Sequence, residues 1–353
     1  MWQKPASGKS IPVISPVTEE VLGEAPAANK SDTRKVVESA VSGTAQWRKV
    51  IALERSRMLR RVAEVMRERT DEMARWLSLE LGKPLDQSKG EVSMAIEQFE
   101  WYAEEAKRIY GHVLESRQPH GKVLIQHEPL GVVAAFTSWN FPVVLAARKI
   151  APALAAGCSV ILLPAEEAPG SAMSLVQCLH EAGVPAGVIN LINGSVDTIS
   201  PVLLNESRVR KISLTGSARV GKLLIKASAE TLKRTSMELG GHAPVIIYAD
   251  ADAEAIAEQA ALVKFKHCGQ VCASPSRYFI HESQAEAFTN KFIEIAQNFK
   301  LGNGMESGVD IGPLATKKRL KEVELMVSGT LKSGARLRLG GKRPVSYTHL
   351  RAH

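Results

Sequence analysis

Cysteine is scarce in this chain of 353 residues, with only Cys158, Cys178, Cys268 and Cys272. So few in so long a chain exclude a disulfide framework, and the cytoplasm is the expected location. No run of 18 apolar residues occurs, which argues against a membrane-spanning helix. Residues 1–10 lack the apolar core of a secretion signal. Internal repeats and low-complexity stretches are absent too. The net charge of +8 invites a nucleic-acid reading, but no basic run is interleaved with aromatics. The densest basic stretch, 55–69, alternates Arg57, Arg60, Arg61 and Arg67 with Glu64 and Glu68, as a solvated amphipathic helix does. His267, Cys268 and Cys272 lack the second ligand pair that a zinc site needs. Nucleic acid, membrane and metal are therefore not expected partners.

What is present fits an α/β protein of about two domains. After short strands over 11–26, Ser31 and Asp32 can cap a helix running to about 45. Further helices are predicted over 52–69, 70–81 and 89–109, the one over 70–81 ending at Gly82. The stretch 111–130 breaks this regime and reads as a β-hairpin or a pair of extended arms, open to another subunit or to its own chain. From Gly131 apolar runs alternate with helical ones. Strands fall at 132–136, 159–163, 188–192 and 209–214, which argues a parallel sheet with helices on both faces. A second α/β series begins after Glu238, with strands at 245–248 and 277–280 and helices at 252–265 and 284–299.

Five short segments carry chemistry. Glu238 precedes Leu239-Gly240-Gly241, and a carboxylate there can take a proton from water or from a thiol. Cys272 lies in the loop Gly269-Gln270-Val271-Cys272, and a thiolate is a good nucleophile. Asn140, in Trp139-Asn140-Phe141-Pro142, offers an uncharged N–H donor to an oxyanion. Thr215-Gly216-Ser217 joins a strand to a helix whose first N–H groups can hold a pyrophosphate. Glu166, after the strand ending in Pro164, can bind ribose hydroxyls. Each has an ordinary structural reading too: a strand end, a packed core thiol, a turn asparagine, a tight turn, a first-turn acid favoured by the helix dipole.

In their order and spacing, these segments resemble the aldehyde dehydrogenase superfamily, over about residues 10–343. The resemblance implies a Rossmann-like cofactor domain (1–110 and 131–240), an oligomerisation hairpin (111–130) and a catalytic domain (241–344). It implies Cys272 as nucleophile, Glu238 as general base, and Asn140 with the Cys272 backbone N–H as the oxyanion hole. Trp139, Glu166, Gly194, Thr215, Gly216, Ser217 and Leu239 fall where the family binds its dinucleotide. Glu166 would repel a 2′-phosphate, so NAD is expected over NADP. Several segments look most similar to the branch that oxidises carboxylated semialdehydes such as succinate semialdehyde. Arg148 and Lys266 lie where that branch holds the distal carboxylate, Lys266 replacing a frequent arginine. A homodimer or homotetramer is implied for the full-length protein.

Two departures stand out. Leu163 occupies the place of a lysine that touches the adenosine ribose. The family also continues well beyond Gly341, whereas 345–353 fits no family segment and reads as a non-native tail. The resemblance therefore implies a C-terminally truncated chain. The alternative is a dinucleotide-binding fragment without catalysis.

Overall fold

The computed structural model describes residues 2–343; the tail 345–353 lies outside them. The chain divides into two compact units. One comprises 1–11, 24–73 and 91–239; the other comprises 12–23, 74–90 and 240–353. The second unit thus takes in two stretches, 12–23 and 74–90, that chain order alone assigns to the cofactor domain.

The chain opens with a two-stranded sheet of β1 (Ser10–Ile14) and β2 (Val21–Pro26). Four helices follow: α1 (Lys30–Trp47), α2 (Ala52–Glu68), α3 (Thr70–Leu81) and α4 (Leu85–Ala106). The cap of α1 is Asn29, not Ser31 or Asp32. Asn29 Oδ1 accepts the Ser31 and Asp32 N–H groups at 2.7 and 3.0 Å, and the Asp32 carboxylate returns to the Asn29 N–H at 3.1 Å. Helix α4 also begins four residues before the expected 89 and stops three before 109. The hairpin appears as antiparallel β3 (His112–Glu115) and β4 (Lys122–Ile125), with every residue of both strands exposed.

The first unit is built on a five-stranded parallel sheet. Its strands are β5 (Val132–Phe136), β6 (Ser159–Leu163), β7 (Ile189–Leu191), β8 (Val209–Gly216) and β9 (Arg234–Leu239), in the order β7-β6-β5-β8-β9. The connecting helices are α5 (Pro142–Ala155), α6 (Pro169–Glu181), α7 (Val196–Asn205) and α8 (Ala218–Ser228). Prolines at the first turn of α5 and α6 suit positions whose N–H has no helical partner. β5 and β6 are buried throughout, which is why they read as unbroken apolar runs. Two features depart from the sequence expectation. β9 is a fifth strand, and β8 runs on through Thr215 and Gly216, which pair with Glu238 and Leu239. Only Ser217 remains as the turn.

The second unit carries β10 (Val245–Ile247) and β11 (Tyr278–Ile280), paired in parallel, with α9 (Ala253–Phe265), α10 (Glu282–Asn298) and α11 (Lys317–Lys332). Ile247, Ala257, Ala260 and Phe288 form one core cluster. Phe265, Ala296 and Ile311 form a second, with Cys268 packed against it. No helix among the described residues is long and apolar enough to cross a membrane.

Candidate active site

All five strands of the large sheet run the same way, so their C-terminal ends share one edge. The chain moves outward from β5 through β6 to β7, then returns to β8 beside β5 and moves outward again to β9. Neighbouring loops diverge at β5 and β8, which makes this the switch point where open α/β sheets bind ligands. Trp139 and Asn140 follow β5, Glu166 follows β6 and Gly194 follows β7. Thr215 and Gly216 end β8 and Ser217 follows it; Glu238 and Leu239 end β9. Nine of the residues singled out from the sequence are thus gathered on one edge of one unit.

Local chemistry fixes several of them. Gly194 has φ +145°, and a Cβ there would stand 3.0 Å from the Ala28 backbone, so only glycine suits this close approach. Ser217 caps α8, its Oγ accepting the Val220 N–H at 3.3 Å. The other first-turn N–H groups have no partner within the helix. Gly221 lies against Leu239, where a Cβ would meet the leucine methyl at 2.8 Å. Asn140 is buried, and Trp139 is half-buried. Glu166 is exposed. Leu163 is buried in the apolar core with Phe136, Ile161 and Leu214, so it presents no polar head to a ligand.

The structure adds two residues that the sequence reading missed. Glu91 is fully buried, and its Oε1 accepts the Val143 and Val144 N–H groups at 2.9 and 3.2 Å. It caps α5 directly after the Trp139-Asn140 loop. Lys149, on α5, is buried and donates to Ser213 Oγ on β8 at 3.2 Å. Burial lowers its pKa to about 8, against a smaller opposing pull from the Glu238 charge; Lys211 lowers it further. Neither stands out in the sequence, since Lys149 follows Arg148 and Glu91 shares its helix with several other charges. Arg148, the next residue back, is exposed.

The second unit carries Cys272 and Lys266, both exposed. Its two cysteines differ in kind. Cys268 packs against two apolar clusters, and burial pushes its thiol up to about 12, which makes it a core residue. Cys272 stands in the open, four residues on. Neither Arg148 nor Lys266 makes an ion pair among the described residues.

Residues 2–349 match the family model of the aldehyde dehydrogenase family. The chain belongs to that family. Its members oxidise aldehydes, so the protein is an oxidoreductase. It is 40% identical over 341 residues to the glutarate-semialdehyde dehydrogenase of Pseudomonas putida, covering 97% of this chain and 71% of that protein. The NADP(+) succinate-semialdehyde dehydrogenase of Escherichia coli is 39% identical at the same coverages. The succinate-semialdehyde dehydrogenase structure from Burkholderia pseudomallei superposes with a TM-score of 0.97 at 39% identity, covering 99% of this chain and 73% of that one. The matched relatives are therefore longer than this chain.

Proposed function

We propose that this aldehyde dehydrogenase oxidises a carboxylated semialdehyde to the corresponding acid with NAD(P)+, using Cys272 as nucleophile. The observation that carries the reading is the cluster on the C-terminal edge of the sheet, which gathers Asn140, Glu238 and the residues proposed for the dinucleotide at one switch point. The fit of the dinucleotide rests on the α8 N-terminus, on Gly194 and on exposed Glu166. The Ala218 and Arg219 N–H groups suit a diphosphate, and the Glu166 carboxylate suits ribose hydroxyls.

In this mechanism the Cys272 thiolate adds to the aldehyde carbon. The Asn140 amide and the Cys272 backbone N–H donate to the resulting oxyanion. The bound dinucleotide supplies the hydride acceptor. A thioester remains on Cys272 Sγ. Glu238 then takes a proton from water, which attacks the thioester and releases the acid and the free thiolate. Lys149 neighbours this base and holds an amine whose charge is finely poised.

Arg148 and Lys266, exposed cations with no ion pair among the described residues, are candidates for the distal carboxylate. Relatives named for glutarate and succinate semialdehydes support that substrate class. Glu166 favours NAD over NADP by repelling a 2′-phosphate, although the E. coli relative is named for NADP(+). The exposed hairpin, with Val113, Leu114, Val123 and Leu124, fits a subunit contact. The test is NADH formation with succinate or glutarate semialdehyde beside a simple aliphatic aldehyde. The expected preference is for the semialdehydes; preference for the aliphatic aldehyde would remove Arg148 and Lys266 from the account. A second reading, a dinucleotide-binding chain without turnover, draws support from Leu163. NAD+ binding without oxidation of any aldehyde would select it.

A further inference from the structure

The loop that carries Cys272 begins with an unusual kink. His267 and Cys268 have φ values of 48° and 54°, so two consecutive non-glycine residues lie in the left-handed region. L residues persist there only where their surroundings hold them. Two glutamines do the holding. Gln87 Oε1 accepts the His267 N–H at 2.8 Å, and its Nε2 donates to the Asp310 carbonyl at 2.9 Å. Gln270 Nε2 donates to the His267 carbonyl at 3.1 Å, while its Oε1 accepts the Ala315 N–H at 3.1 Å. Both peptide groups of His267 are thus tied through side-chain amides to the stretch 310–315. Gln270 belongs to the cysteine loop itself; Gln87 comes from 180 residues earlier.

Gln87 can act as a splint because its own backbone is fixed. The Leu85 N–H donates to the Gly304 carbonyl at 2.9 Å. Gly312 packs directly on the Gly82 carbonyl, with no room for a Cβ, and Gly82 itself has φ +67°. His267 and Lys83 are both buried nearby. Burial, and then the Lys83 charge, hold the His267 imidazole in its neutral form.

We propose that Gln87 is a positioning residue for catalysis: it sets the His267-Cys268 kink and thereby the direction of the Cys272 backbone N–H. This rests on the role proposed above for Cys272. An oxyanion donor turned aside by a relaxed loop would cost turnover rather than substrate binding.

The experiment compares Gln87→Ala, Gln87→Met and Gln87→Glu with the parent protein. Glutamate keeps an oxygen acceptor for the His267 N–H; methionine keeps the volume alone. Amide exchange of the peptide 266–272 should quicken in Gln87→Ala and Gln87→Met. Their kcat should fall about tenfold or more with little change in KM, and Gln87→Glu, which keeps the acceptor for His267 but loses the donor to Asp310, should recover part of the kcat and of the slow exchange. If Gln87→Ala fails to fold, the Met and Glu pair carries the comparison. Unchanged exchange in this peptide, or faster exchange with unchanged kcat, would overturn the proposal. If the parent protein oxidises no aldehyde, the functional reading fails separately. Iodoacetamide labelling of Cys272 then decides: an altered rate in Gln87→Met, restored at least in part in Gln87→Glu, upholds the splint, and an unaltered rate overturns it.

Discussion

Lys149 is a cation in an apolar place. Around it on α5, Leu145, Ala146, Ile150 and Ala151 are buried, while the adjacent Arg148 is exposed. Its pKa near 8 lies below that of an unfolded lysine, so between about pH 8 and 10.4 the unfolded chain binds more protons than the folded one. Stability should therefore rise with pH across that window, by an amount of order 3 kcal/mol from this residue. Urea unfolding of Lys149→Met should lack that rise; the same slope in both proteins would refute the assignment. At Glu166, replacement by Gln should raise kcat/KM for NADP+ relative to NAD+ by about fivefold or more, since one like-charge repulsion disappears. An unchanged ratio would remove Glu166 from cofactor choice. Residues such as Glu238, Asn140 and Cys272 were visible as candidates because each sits in a short run of small or turn-forming residues. Lys149 and Glu91 were not, because one charge in an apolar or amphipathic helix reads as a surface position until the packing is known.

At the scale of elements, the Trp139-Asn140 loop depends on how α5 begins. Phe141, at the cap position, gives no side-chain hydrogen bond, so the Glu91 carboxylate supplies it from α4. Charge-assisted bonds to two N–H groups suggest that Glu91→Ala would cost about 2–3 kcal/mol, read as a lower urea midpoint. Glu91→Gln, which keeps one acceptor oxygen, should lose less. An Ala variant as stable as the parent would show that the cap is dispensable. The buried strands β5 and β6 were plain in the sequence because both faces are apolar. β9 was missed because Arg234-Thr235-Ser236-Met237-Glu238-Leu239 is an edge strand, exposed or half-exposed throughout. α11 escaped for a similar reason, since only Leu320 and Val323 of its residues are buried. The cap of α1 was misplaced by two residues because Asn29, Ser31 and Asp32 can all cap, and only the geometry shows which one does.

For the molecule as a whole, sequence order marks one change of unit, at Gly240. It gives no sign that 12–23 and 74–90 belong with the later residues, because long-range packing leaves no local trace. The exposed hairpin sets the expectation for assembly. Val113 pairs directly with Leu124, and Leu114 with Val123, so each face of the ribbon presents apolar side chains. If the hairpin joins subunits, the double variant Val113→Glu with Leu124→Lys should shift sedimentation towards the monomer with little loss of secondary structure. A parent protein already monomeric at micromolar concentration would contradict that contact. Absorbance at 340 nm decides whether Cys272 carries aldehyde oxidation. The parent protein and Cys272→Ala would each be given NAD+ and succinate semialdehyde. The account expects NADH from the parent and none from the variant, with NAD+ binding retained in both. Turnover that survives in Cys272→Ala would contradict it.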